Sequence, residues 1–120
     1  MILSGSIHKA DLATLSRCAT ERAEAFERSK ATVLAVNNTE AALGFELEAD
    51  RFQALAQKLA TAFCERPVFL SQDDLQRAAE ALEPLHLKLR RSLDRKRFRE
   101  VDALRDQLTH LAGSLEPEEY

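Results

Sequence analysis

Phe45, Ala49, Phe52, Ala56, Leu59 and Phe63 recur at steps of four, three, four, three and four residues. Only an α-helix turns that spacing into a single face. Large and small side chains alternate along it, which suits close packing against a second helix. A core seam within the chain is the expected use, with self-association into a homodimer through an exposed stripe as the alternative. Glu48 falls on the opposite side of this helix and is expected to face solvent.

The rest of the chain shares the bias. Its 120 residues suffice for one core. Gly and Pro number three each, and Val and Ile together fill only six positions, too few to furnish a buried sheet. The abundant Ala, Leu, Glu and Arg lose little rotamer freedom in a helix. Leu12, Leu15, Ala19, Ala23, Phe26 and Val33 predict a first helix from a cap at Ser6 to about Val36. Asn37 and Asn38 interrupt it, and Thr39 caps a second helix reaching about Glu65. After Pro67, Ser71 with Asp73 and Asp74 opens a third helix, and Phe69 or Leu70 is placed to pack back as a hydrophobic staple. This helix carries Leu75, Ala79, Leu82, Leu85, Leu89 and Leu93, with Pro84 inside it as a kink. Phe98 and Val101 are out of phase with Leu93, so a turn is expected at 94–97. Beyond it lies a helix bearing Phe98, Val101, Leu104, Leu108 and Leu111 and capped by Gly113. The expected fold is therefore all-α: a bundle of three long helices, the third kinked at Pro84, followed by a short C-terminal helical hairpin. Residues 1–113 form a single domain, with the hairpin at 89–112 and an acidic tail at 114–120.

A net charge of −3 excludes a globally basic nucleic-acid binder. The charges are segregated, however. Lys88, Arg90, Arg91, Arg95, Lys96, Arg97 and Arg99 lie within twelve residues, opposed only by Asp94. Such a run suits an acidic surface on a protein partner or the phosphates of a nucleic acid. Phe98, the only aromatic within it, is expected in the core, which leaves base stacking little to use. The plain alternative is pairing with Glu100, Asp102, Asp106 and the acidic tail.

Catalytic signals are absent: the sequence has no Gly-rich phosphate loop, nucleophile elbow or Cys-x-x-Cys. Glu83-Pro84-Leu85-His86 is a single Glu-x-x-His, a unit that di-iron bundles use twice. No metal, cofactor or enzymatic activity is expected. His86 shares a face with Leu82 and Leu89 and reads as a hydrogen-bonded core residue. Cys18 and Cys64 read as small buried side chains. In an antiparallel hairpin turning at Asn37-Asn38 they would sit about 9 Å out of register, too far for a disulfide. No apolar run approaches the roughly 20 residues needed to span a bilayer, and the first residues lack the pattern of a signal peptide. A cytoplasmic location without membrane attachment is the expectation.

The segment Phe98-Arg99-Glu100-Val101-Asp102-Ala103-Leu104-Arg105-Asp106-Gln107-Leu108 resembles the UVR motif. That antiparallel helical hairpin occurs in the B and C subunits of the bacterial excision nuclease and in several bacterial regulators. Phe98, Leu104, Arg105, Asp106 and Leu108 stand at the motif's spacing. Arg99 takes the place of its usual acidic residue, and Val101 and Asp102 that of its paired small residues. The resemblance implies a bacterial docking element without enzyme activity. Combined with the basic run, it points to a small adaptor or regulator that binds a protein partner through Arg91, Arg95, Lys96, Arg97, Arg99, Arg105 and Asp106. An accessory nucleic-acid binder using the same patch is one alternative. A secretion-type chaperone using an apolar helix face is another.

Overall fold

The computed structural model describes residues 2–3, 7–64 and 68–114. Four helices account for nearly all of them: α1 (Lys9–Leu34), α2 (Thr39–Phe63), α3 (Gln72–Arg90) and α4 (Arg95–Ser114). The all-α expectation holds. The one addition is a two-residue pairing of β1 (Ile2–Leu3) with β2 (Val68–Phe69), antiparallel, with Ile2 opposite Phe69 and Leu3 opposite Val68.

Each helix starts where a polar side chain satisfies backbone N–H groups that have no helical partner. His8, not Ser6, caps α1: its Nδ1 accepts from the Ala10 N–H at 3.2 Å. Ser6 lies outside the described residues. Beyond the end of α1 at Leu34, Asn37 turns the chain, with a φ of 60° that is the only positive value at a non-glycine residue among those described. The N–H of Asn38 donates to Val33 O and that of Asn37 to Leu34 O. This is the paired bonding of a left-handed helix stop, which Asn tolerates. Asn38 then caps α2, accepting from Ala41 N–H at 3.1 Å. At α3, Ser71 and Asp74 form the reciprocal capping box. Leu70 and Leu75, both fully buried, flank it as a hydrophobic staple would.

α1 and α2 run antiparallel, joined by a hydrogen bond from Ser16 Oγ to Ala56 O and the Lys30–Glu46 ion pair. Of the Phe45–Phe63 seam, Ala49, Phe52, Ala56 and Leu59 are buried, Phe45 is half-buried, and Phe63 is exposed at the helix end. The buried set widens to Leu55 and Ala62 because α2 meets α3 as well as α1. Phe26 and Phe52 stack at 5.7 Å, with Arg22 over Phe26 and Arg77 over Phe52. This column ties three helices together. Glu48 is correspondingly not idle: it accepts from Arg77 at 2.8 Å and from Arg51 at 3.1 Å.

α3 is one helix that includes Pro84. Beyond it the second half departs from expectation. The short terminal hairpin is replaced by one long antiparallel pair, α3 and α4, of 19 and 20 residues. Three contacts mark its register: Gln72 Nε2 to Ala112 O, Glu83 to Arg105, and His86 to Asp102. Gly113 lies inside α4 and caps nothing; α4 ends at Ser114, and the rest of the expected tail lies outside the described residues. Val101, Leu104, Leu108 and Ala112 of α4 join the core with Leu75, Ala78, Ala81 and Leu82 of α3. From Glu24 to Ala41 no side chain is buried, so the α1–α2 turn projects beyond the core. No helix among the described residues is long and apolar enough to cross a membrane.

Candidate functional site

The basic run sits on the α3–α4 connection. The expected turn at 94–97 lies instead at 91–94, and the physical reason is local. Ser92 Oγ accepts from Asp94 N–H at 2.8 Å, and Asp94 Oδ1 accepts from Arg97 N–H at 3.1 Å. Asp94 is thus the N-cap of α4, and Arg95, Lys96 and Arg97 form its first turn. Leu93, expected on the core stripe of the third helix, falls in the connection and is 100% exposed. Ser and Asp two residues apart, just ahead of the basic run, are the sequence signal that would have located this turn.

The seven candidate residues divide into two groups. Arg97 points inward: its Nη2 donates to Thr14 Oγ1 of α1 at 3.2 Å, and its Nη1 pairs with Glu100 at 3.3 Å. Arg105 pairs with Glu83 across α3 and α4 at 3.0 Å. Both are bound up in the fold. Arg91, Lys96, Arg99 and Asp106 are exposed and have no ion-pair partner among the described residues, and Arg95 is exposed with its guanidinium 6.0 Å from the Phe98 ring. At about 100° per residue, Arg95, Lys96 and Arg99 share roughly a quarter of the helix circumference. They lie opposite buried Val101, Leu104 and Leu108.

Among the described residues, which do not include the acidic residues of the tail, internal ion pairing takes up only Arg97 of the run. Glu100 pairs with Arg97, and Asp102 is taken by His86, whose Nε2 lies 2.9 Å from Oδ1. His86 is buried as expected, and its ring packs on Phe98 at 5.1 Å. The helix dipole makes the arrangement more unusual. The first turn of α4 carries no acidic residue, and its three cations face the positive end of the dipole. Each such charge is unfavourable by about 0.3–1 kcal/mol at low ionic strength.

Cys18 is buried and Cys64 exposed, and both are free thiols. The expectation that both are buried fails for Cys64 because it follows the last turn of α2, past the packed segment. Burial pushes the Cys18 thiol above its ordinary value, with Glu21 adding to the shift and Arg17 and Arg97 opposing it. Among the described residues no three His, Cys, Asp or Glu side chains cluster as metal ligands. In comparisons with known proteins, the chain matches no family model, no curated protein and no solved structure.

Proposed function

We propose that this protein is a small non-enzymatic adaptor or regulator that docks onto an acidic protein surface through the α3–α4 connection. The observation that carries this reading is a fully exposed Leu93 flanked by cations that have no ion-pair partner among the described residues. A fully exposed leucine close in sequence to exposed Arg91, Arg95, Lys96 and Arg99 has the make-up of a small protein-binding hot spot: an anchor for a pocket, and charges that steer encounter and fix orientation. Cations held at the unfavourable end of a helix dipole work against folding, so their use lies in recognition. A phosphate-tracking surface has no use for the leucine, which favours a protein over a nucleic acid. The UVR-like spacing of Phe98, Leu104, Arg105, Asp106 and Leu108 fits the same reading, since that motif is a docking hairpin. In this reading Arg97 and Arg105 hold the hairpin in place and the remaining cations make contact. Reversing Arg91, Lys96 and Arg99 to Glu, leaving Arg97 intact, tests it: partner capture should be lost and the fold retained.

A second reading rests on the projecting α1–α2 turn, where Val36 is 74%, Leu43 62% and Leu47 57% exposed. This apolar end suits self-association or a chaperone-like hold on a partner helix. Leu43→Glu with Leu47→Glu would then abolish a concentration-dependent dimer in sedimentation; a wild-type monomer at all concentrations removes the dimer form of this reading.

A further inference from the structure

A groove of about 450 Å³ lies between α1 and α3, and of the basic run only Lys88 reaches it. Its size is that of a small-molecule site rather than a surface irregularity. Arg17, Arg22 and Arg28 of α1 and Lys88 of α3 line it, against a single carboxylate, Glu21. Arg17, Arg28 and Lys88 have no ion-pair partner among the described residues, so their charge is uncompensated where they stand. Arg22 is poorly satisfied in a different way. Its Nη2 reaches Glu80 only at 3.5 Å, and its Nε is buried with no hydrogen-bond partner. A buried donor without an acceptor is rare and unfavourable, and small rotations of this guanidinium would offer it to an anion in the groove.

The cations are spread along the groove, with Arg22 roughly midway between Arg17 and Arg28. Arg17 and Arg28 are eleven residues apart on one helix, about 16 Å along its axis. Because Arg22 pairs with Glu80, while Arg97, just beyond the end of α3, bonds to Thr14, Lys88 lies towards the Arg17 end. The rest of the wall is largely apolar, with Ala25, Ala81, Pro84 and Leu85. A monophosphate would meet only part of this row of cations. Guanidinium forks match phosphoryl oxygens in geometry as well as charge.

We propose that the α1–α3 groove binds a small organic molecule carrying at least two adjacent phosphoryl groups, which Arg17, Arg22, Arg28 and Lys88 together neutralise while the organic body rests on Pro84 and Leu85. The site is independent of the docking surface, and the two are separable by mutation. The test is calorimetric titration of the intact chain with ADP, AMP, pyrophosphate and citrate at constant ionic strength. ADP should bind saturably, one per chain and roughly tenfold or more tighter than AMP. Arg17→Gln and Arg28→Gln should each weaken ADP about tenfold, the effect of one lost charge-assisted hydrogen bond. Both side chains are exposed and unpaired, so circular dichroism should show unchanged helix. Arg99→Gln, an equal loss of charge on the turn, should leave ADP binding as it is. Three results would overturn the proposal: no saturable binding of ADP or pyrophosphate, citrate binding as tightly as ADP, or Arg99→Gln weakening ADP as much as Arg17→Gln.

Discussion

Arg97, in the first turn of α4, donates to Thr14 Oγ1 in the second turn of α1 at 3.2 Å, across 83 residues of sequence. Thr14 is buried, and its hydroxyl also donates to Ala10 O. This contact pins the start of α4 to α1. It separates one cation of the basic run from its neighbours, which stay in solvent.

The separation predicts opposite responses to mutation. Arg97→Ala should lower stability in a urea titration by about 1–2 kcal/mol, because a charge-assisted hydrogen bond to a buried hydroxyl is lost. Lys96→Glu should instead raise stability by about 0.3–1 kcal/mol at low ionic strength, by placing an acid where the dipole favours one. Equal destabilisation by both changes would mean that the whole run is structural.

Phe52, fully buried between Phe26 and Arg77, supports the column that joins α1, α2 and α3. Phe52→Ala should destabilise by about 3–5 kcal/mol, a large share of what a domain of this size possesses. A loss below about 1 kcal/mol in the same titration would show that the column is not part of the core.

The Glu48–Arg77 pair makes part of the stability pH-dependent. The hydrogen bond from Arg77 holds the Glu48 carboxyl below its ordinary value of 4.5, aided by the charges of Arg77 and Arg51 and opposed by burial. The folded state therefore binds this proton less readily than the unfolded chain. The resulting stabilisation is complete above 4.5 and is lost as pH falls through the lowered folded value. Glu48→Gln should lower stability by up to about 1 kcal/mol at neutral pH and leave it nearly unchanged in strong acid. An offset from wild type that is the same at both pH values would contradict this.

The two thiols should be distinguishable by access. A thiol-specific chromogenic reagent should modify Cys64 rapidly in the native protein and Cys18 only on unfolding, giving one fast equivalent and a second in denaturant. Loss of the fast phase in Cys64→Ser identifies it. Two equivalents reacting together without denaturant would contradict the burial of Cys18.

Local chemistry was legible in the sequence where it acts over a few residues. The stop at Asn37, the Ser71–Asp74 capping box and the seam through Phe52 and Leu59 all follow from spacing and side-chain type. The misread positions are those where a helix ends or meets a second neighbour. Leu93 continues the periodicity of Leu85 and Leu89 perfectly well, yet the Ser92–Asp94 turn removes it from α3. Glu48 lies opposite the α1-facing seam, but α3 approaches that side and brings Arg77. The division of the basic run was not legible either, because a contact between Thr14 and Arg97 leaves no trace in any short window. The groove escaped notice for the same reason: Arg17 and Arg28 look like ordinary solvent-facing residues of α1 until Lys88 and Pro84 are placed across from them.

The docking surface is tested most directly by capture of interacting proteins from native extract, after nuclease treatment, with wild type and with the Arg91→Glu, Lys96→Glu, Arg99→Glu variant. The variant should keep its helical circular dichroism and a melting temperature at or above that of wild type, because Arg97, Thr14 and Glu100 are untouched. It should lose the proteins that wild type retains, since each reversal sets like charge against an acidic partner. Retention of the same proteins by the folded variant would contradict the account, as would a wild-type yield that disappears on nuclease treatment alone.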